Sequence, residues 1–275
     1  METIAFIGGG HMASAIVGGL VAAGHAPERI VVVEPSEPQR KRLVDAFAVR
    51  TAAAADAALA AAALVVWAVK PQMFQVAAEP CREHVGAALH LSVMAGIRSD
   101  AIARAVASER IVRAMPNTPA LIGQGIAGLF ARPAVTDADR AQVEAVLAAT
   151  GQTLWLDSEA ALDAVTALSG SGPAYVFHLV ESMLEAARRM GLADDAARRL
   201  AVQTLVGSAA LVASSSDSPE TLRRNVTSPG GTTQAALAVF EAHGVKAAIV
   251  EAILAACDRA RELGDELGKG PGATG

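Results

Sequence analysis

Aromatic side chains are scarce in this chain: its 275 residues include one tyrosine, two tryptophans and six phenylalanines. So few rings leave no surface on which bases could stack, and a formal net charge of −5 with scattered basic residues offers little to a phosphate backbone. Nucleic acid is thereby excluded as a partner. Cysteine is nearly missing as well. Cys81 and Cys257 stand far apart, outside any metal-ligand or redox spacing, and read as reduced thiols that fill space. Long apolar runs are absent: the longest, 57–69, is mostly alanine, lies between Asp56 and Lys70, and falls short of the ~20 residues that a membrane span needs. The amino terminus enters a strand pattern at once, with no charged segment or cleavable apolar stretch, so a cytoplasmic location is expected. The six histidines show no metal-ligand spacing, and none is expected to hold a metal. No G-x-S-x-G elbow occurs, and Ser169 and Ser171 read as helix-capping serines.

What is present begins with Ile4-Ala5-Phe6-Ile7 followed by Gly8-Gly9-Gly10-His11-Met12-Ala13, a strand, a glycine turn and a helix start. Gly8, Gly10 and Ala13 match G-x-G-x-x-G/A. The first glycine makes the tight turn, the second lets backbone N–H groups approach a pyrophosphate, and the small third residue lets helix and strand pack closely. A second strand, 29–33, ends in Glu34, at the distance where an acid meets an adenosine ribose. The alternation continues: helix 37–47, a short strand near Val49, an alanine-rich helix 56–63 and a buried strand 64–69. Lys70-Pro71 stands at the carboxyl end of that strand. A helix from about Phe74 follows, then strand 89–93 running into Met94-Ala95-Gly96, and strand 110–114 running into Met115-Pro116-Asn117-Thr118-Pro119. The carboxyl ends of such strands are where ligands collect. Strands 125–130 and 152–156, with a helix opened by Thr136-Asp137-Ala138-Asp139, complete a Rossmann-like, doubly wound parallel sheet over residues 1–157.

After Asp157 nothing alternates like a strand, and residues 158–275 read as an all-α domain. Helices are expected at 158–168, at 174–190 behind a Ser169–Pro173 cap, at 194–213, at 232–243 and at 245–267. The 194–213 helix is apolar over much of its surface, which points to cover from a second subunit. Running into the 232–243 helix is the polar turn Asn225-Val226-Thr227-Ser228-Pro229-Gly230-Gly231-Thr232-Thr233. Two glycines before a helix start let the backbone close on an anion, and a small carboxylate fits there. A nucleotide-binding half followed by a helical half is the plan of dehydrogenases that seat a small substrate between the two. One class of these, resembling the β-hydroxyacid dehydrogenases, uses a lysine in the second half, and no lysine occurs here between Pro71 and Val245.

Five stretches occur in order: 6–12, Ala68-Val69-Lys70-Pro71, Arg113 to Pro119, Leu168 to Tyr175, and 226–233. Together they resemble the Δ1-pyrroline-5-carboxylate reductase family over nearly the whole chain. The resemblance implies NADP(H) or NAD(H) on the first half, reduction of the cyclic imine 1-pyrroline-5-carboxylate to L-proline, and a homodimer formed by the helical domains, often assembled further. It carries Ser228, Gly230, Gly231, Thr232 and Thr233 over as substrate-binding residues, with Thr233, whose hydroxyl can reach the ring nitrogen, as the catalytic one. Cofactor contacts are expected from Gly8, Gly9, Gly10, His11, Met12, Glu34, Ser36, Ala68, Val69, Lys70, Pro71, Ala95, Asn117 and Asn225, the last on the nicotinamide side. Two alternatives stand beside this reading: a reductase of another cyclic imine, and a non-catalytic NAD(P)-sensing protein, which the lack of an obvious side-chain acid favours. Three positions depart from the family pattern: Arg224 replaces a common acid, Ala55 a frequent asparagine, and Glu34 a small polar residue. Glu34 suits the ribose of NADH, whereas Ser36 and Arg40 suit a 2′-phosphate. Dual cofactor use is therefore expected, with neither form favoured more than about a hundredfold.

Overall fold

The computed structural model describes residues 2–268. Among these, eight strands form one sheet: β1 (Thr3–Ile7), β2 (Ile30–Val33), β3 (Arg50–Ala52), β4 (Ala62–Trp67), β5 (Leu89–Ser92), β6 (Ile111–Met115), β7 (Gly125–Ala131) and β8 (Gly151–Trp155). Their order is β3-β2-β1-β4-β5-β6-β7-β8. The chain thus winds outward from β1 in both directions, and the reversal of winding falls between β1 and β4, where such sheets bind ligands. Helices α1 (His11–Ala22), α2 (Glu37–Phe47), α3 (Phe74–Ala78), α4 (Arg82–Val85), α5 (Ser99–Val106), α6 (Asp137–Leu147) and α7 (Ala161–Val165) accompany the strands. Because successive strand residues point to opposite faces, Ile4, Phe6, Val32, Leu64 and Val66 pack with Ala13, Ile16 and Val17 of α1 in one core layer. Ala5, Ile7, Val31, Val65 and Trp67 pack with Phe74 and Ile102 in the other. Burial on both faces is why these strands are continuously apolar.

The sheet is doubly wound as expected, but not parallel throughout. β7 runs antiparallel to β6, and β8 is parallel to β7. A parallel return needs a crossover of a dozen or more residues. Between Met115 and Gly125 the chain has only a short 3₁₀ turn, Thr118–Ile122, held by Pro116 and Pro119, so it folds straight back. A second correction concerns the expected helix at 56–63. Asp56 accepts a hydrogen bond from the Ala58 N–H at 2.8 Å, a 3₁₀ turn covers Ala57–Ala61, and β4 already starts at Ala62. Alanine's helix preference is a weak prior, and pairing with β1 and β5 on either side overrides it.

The third correction lies at 158–173. α7 is one short helix, and a π-helical turn, Thr166–Gly170, continues it, with the Ser171 N–H donating to the Thr166 carbonyl at 2.8 Å. Ser169 does not cap the next helix. Its hydroxyl donates back to the Val165 carbonyl at 3.1 Å. Two compact units result, residues 2–171 with 256–268, and residues 172–255. Strand structure ends at Trp155, yet the first unit runs on to Ser171, because Val165 packs over β7: a Cβ at Gly128 would sit 2.9 Å from its methyls.

The second unit comprises α8 (Gly172–Arg189), α9 (Asp194–Ser214), α10 (Pro219–Asn225), α11 (Thr232–Ala242) and the first part of α12 (Val245–Gly268). Its stops and starts follow local rules. Gly191 and Gly244 take positive φ after α8 and α11, and Ser218 caps α10 by accepting from the Thr221 N–H at 3.2 Å.

Candidate functional site

At the carboxyl end of β1 the backbone turns at Gly8, with φ +97°, and its N–H donates to the Val33 carbonyl at 2.8 Å. A Cβ there would stand 2.7 Å from the Ala68 carbonyl oxygen, so only glycine lets the ends of β1 and β4 meet. Gly10 is different. Its φ is −68° and nothing lies within 4 Å of an added Cβ, so neither backbone nor packing calls for glycine. Gly10 instead lines an open cavity of about 470 Å³ together with Ile7, Gly8, Val33, Glu34, Ala68, Val69 and Lys70. α1 starts at this cavity with no side-chain cap and no acid in its first turn, leaving the first N–H groups of the helix, at His11 and Met12, for an anion. These features fit a dinucleotide pyrophosphate.

The residues expected around a cofactor are placed unequally. Gly8, Gly10, Glu34, Ala68, Val69 and Lys70 line the cavity; Gly9, His11, Met12, Ser36 and Pro71 flank it in the chain. Glu34 is held by backbone donors: Oε2 accepts from the Gly9 N–H at 2.9 Å and Oε1 from the Ser36 N–H at 2.9 Å. Ala95 is exposed just past β5, and Asn117 follows β6. The Asn117 amide is already engaged, its Nδ2 donating to the Ser169 carbonyl and its Oδ1 accepting from the Ile126 N–H, both at 3.1 Å. That side chain ties the proline-rich loop to β7 and to the π turn. Asn225 belongs to the helical unit.

Other walls of the cavity escaped the sequence reading: Ala53, Ala54, Met73, Val76, Ala77, Pro80 and Cys81. The alanines carry no chemical signal. Val76, an apolar residue 67% exposed on α3, is a surface anomaly that helical spacing from Met73 could have flagged. Burial pushes the Cys81 thiol up to about 11, and its Sγ donates to the Ala77 carbonyl, so it is an inert wall rather than a nucleophile. Elsewhere in the first unit, Glu159 accepts from the Ser99 N–H at 2.6 Å, the Ser99 hydroxyl at 2.7 Å and Arg113 at 2.7 Å. Burial works against its charge, but these hydrogen bonds outweigh it and hold Glu159 below the usual carboxylate range.

In the helical unit, Ser228 to Gly231 make the second candidate site. Gly230 has φ +72° with open space where a Cβ would be, and the Gly231 N–H donates to the Ser228 carbonyl at 3.1 Å. Gly231, not a threonine, is the N-cap of α11, again with no side-chain cap and no acid in the first turn. The N–H groups at Thr232 and Thr233 therefore stand at an uncapped helix start. Gln234, unnoticed in the sequence, accepts the Gly230 N–H on its Oε1 at 2.5 Å. Among the described residues no cluster of His, Cys, Asp and Glu is placed to hold a metal, and no helix is long and apolar enough to cross a membrane.

Comparison with known proteins gives this geometry its context. Residues 159–263 match the family model described as pyrroline-5-carboxylate reductase dimerisation, and residues 3–96 match that of NADP oxidoreductase, coenzyme F420-dependent. The pyrroline-5-carboxylate reductase of Pseudomonas aeruginosa is 42% identical over 268 residues, covering 97% of this chain and 98% of that one. The solved enzyme from Coxiella burnetii superposes with a TM-score of 0.86 at 37% identity, covering 95% of this chain and 98% of its own. That of Plasmodium falciparum, solved with NADP bound, gives 0.86 at 28% identity, covering 96% and 98%. With its two uncapped helix starts and full-length likeness to these relatives, the chain belongs to the pyrroline-5-carboxylate reductase family.

Proposed function

We propose that this protein reduces 1-pyrroline-5-carboxylate to L-proline with a reduced nicotinamide dinucleotide. The observation that carries the reading is the start of α11: a helix opened by Gly230 and Gly231, without cap or acid, suits a small carboxylate. Family membership supports the choice of a cyclic imino acid.

The bound dinucleotide supplies the hydride. The chain's own residues bind and orient. Gly10 and the first N–H groups of α1 would receive the pyrophosphate, with Gly8, Gly9, His11, Met12, Ala68, Val69, Lys70 and Pro71 around it; Ala95, Asn117 and Asn225 are the remaining cofactor contacts. Ser228, Gly230, Gly231 and the N–H groups of Thr232 and Thr233 hold the substrate carboxylate. The Thr233 hydroxyl meets the ring nitrogen. An imine carbon is most electrophilic when its nitrogen is already protonated, so no strong acid is required, and the turn 228–233 contains none. Two copies pair through the helical unit, whose exposed Phe177, Leu200, Val206, Phe240 and Leu254 need cover. The free thiols Cys81 and Cys257 accord with a cytoplasmic protein.

The test is oxidation of NADH and NADPH by the purified protein with 1-pyrroline-5-carboxylate beside imines of other ring sizes. Dinucleotide binding without turnover of any imine would overturn the reading. Thr233→Ala is expected to lower kcat/KM by about 5- to 150-fold with dinucleotide affinity unchanged, the loss of one hydrogen bond of about 1–3 kcal/mol at a desolvated site. Wild-type kinetics in a folded variant would reduce Thr233 to a scaffold residue.

A further inference from the structure

Resting on the dinucleotide reading above, we infer that Glu34 makes this protein selective for NADH over NADPH, because its carboxylate is anchored at the end of β2 by the backbone donors that could otherwise receive a 2′-phosphate. Glu34 directly follows β2, where the adenosine ribose of a dinucleotide lies in folds of this type. Its carboxylate is not a mobile surface charge. One oxygen accepts from the Gly9 N–H and the other from the Ser36 N–H, each at 2.9 Å, so both oxygens are anchored at the mouth of the cavity. An ionised carboxylate accepts only, with about four lone-pair positions, and two remain for the ribose hydroxyls, which are donors. A 2′-phosphate is also acceptor-only and carries negative charge. Beside Glu34 it would meet repulsion with no proton to share.

The cation nearest the end of β2 is tethered to backbone. Arg40, one turn into α2, is bound at the strand end: its Nη1 donates to the carbonyl of Glu34 at 2.8 Å and to that of Pro35 at 2.7 Å. Satisfying two carbonyls at the strand end, its Nη1 holds the guanidinium against the backbone of the loop rather than leaving it free to follow an anion. Gln39, the neutral polar side chain of that turn, donates to the Gly9 carbonyl at 2.5 Å. Lys70 is the one base that lines the cavity, but it follows β4, which lies two strand positions from β2 across β1, roughly 10 Å at the usual strand spacing. Backbone donors are equally committed. The Gly9 and Ser36 N–H groups, which could greet a phosphate, are the same two that anchor Glu34. Glu34 therefore acts twice, by its charge and by consuming the donors.

The test is equilibrium binding of NADH and NADPH to the full-length protein without substrate, by isothermal titration and by the fluorescence of the reduced nicotinamide. NADH is expected to bind at least about tenfold more tightly than NADPH. Glu34→Ser should release both N–H groups and reverse the order of the two dissociation constants. Arg40→Ala should leave their ratio within about threefold of wild type. Equal or tighter binding of NADPH by the wild type would overturn the inference, as would an unchanged ratio in Glu34→Ser or a marked shift toward NADH in Arg40→Ala. Failure of either dinucleotide to bind at all would instead remove the reading on which it rests.

Discussion

The two units of this chain bury their apolar residues very differently. In the first, Phe6, Ile16, Leu64, Trp67 and Leu91 have no exposed surface, and the sheet is covered on both faces. In residues 172–255 the buried hydrophobics are Ala187, Ala197 and Ala201, while Phe177 is 60% exposed and Leu200 and Val206 are each 57% exposed. A helix apolar on several sides needs more than its own neighbours. The contrast separates a unit whose stability is internal from one whose apolar surface must be matched by another chain.

The largest break in the comparison should come from Trp67. Its ring meets Phe74 edge-on at 5.4 Å between centroids, and its Nε1 donates to His90 Nδ1 at 3.1 Å. Trp67→Ala is expected to cost about 3–5 kcal/mol in denaturant unfolding, with a midpoint independent of protein concentration. A concentration-dependent midpoint would show that the first unit also leans on a partner.

The same pair predicts an acid limb. Burial, reinforced by the nearby charge of Arg110, lowers His90 to about 4. A base whose folded pKa lies below its unfolded value of about 6.5 contributes its full stability above pH 6.5 and loses it as pH falls toward 4, about 3 kcal/mol in all. Asp139 and Glu159, held below their ordinary range although burial opposes it, act in the same sense but at lower pH. Stability measured from pH 7 to 4 should therefore slope before these carboxylates titrate. His90→Asn should flatten that slope, and an unchanged slope would place the titrating group elsewhere.

The smallest effect per residue is expected on the helical side. Leu200→Ser removes an apolar group worth about 1.5–3 kcal/mol if it is covered by a second copy. It should shift sedimentation toward monomer and make thermal unfolding more sensitive to dilution, with the first unit unchanged. No shift in association would mean that α9 is not part of the contact.

The elements read correctly from the sequence were those with local causes. Strand, glycine turn and helix at residues 4–13 follow from neighbouring residues alone. So does the start of α6, where Thr136 and Asp139 exchange hydrogen bonds with each other's backbone N–H groups, and so do the left-handed stops at Gly191 and Gly244. The alanines at 57–63 went wrong because their fate depends on β1 and β5, which lie far away in sequence.

For the candidate site the division is the same. Residue types and spacing singled out the glycine loop, Glu34, Lys70 and the Ser228–Thr233 turn as candidates, and the structure places the first three around one cavity. Only the folded chain decided where the hydrogen-bonding capacity went: Arg40 onto the Glu34 and Pro35 carbonyls, the Asn117 amide onto Ser169 and Ile126, and Gln234 onto Gly230. A sequence names donors and acceptors but not their partners. Partners are set by which carbonyls and N–H groups the strand order, the reversed β7 and the π turn bring within about 3 Å, a distance that no spacing along the chain encodes.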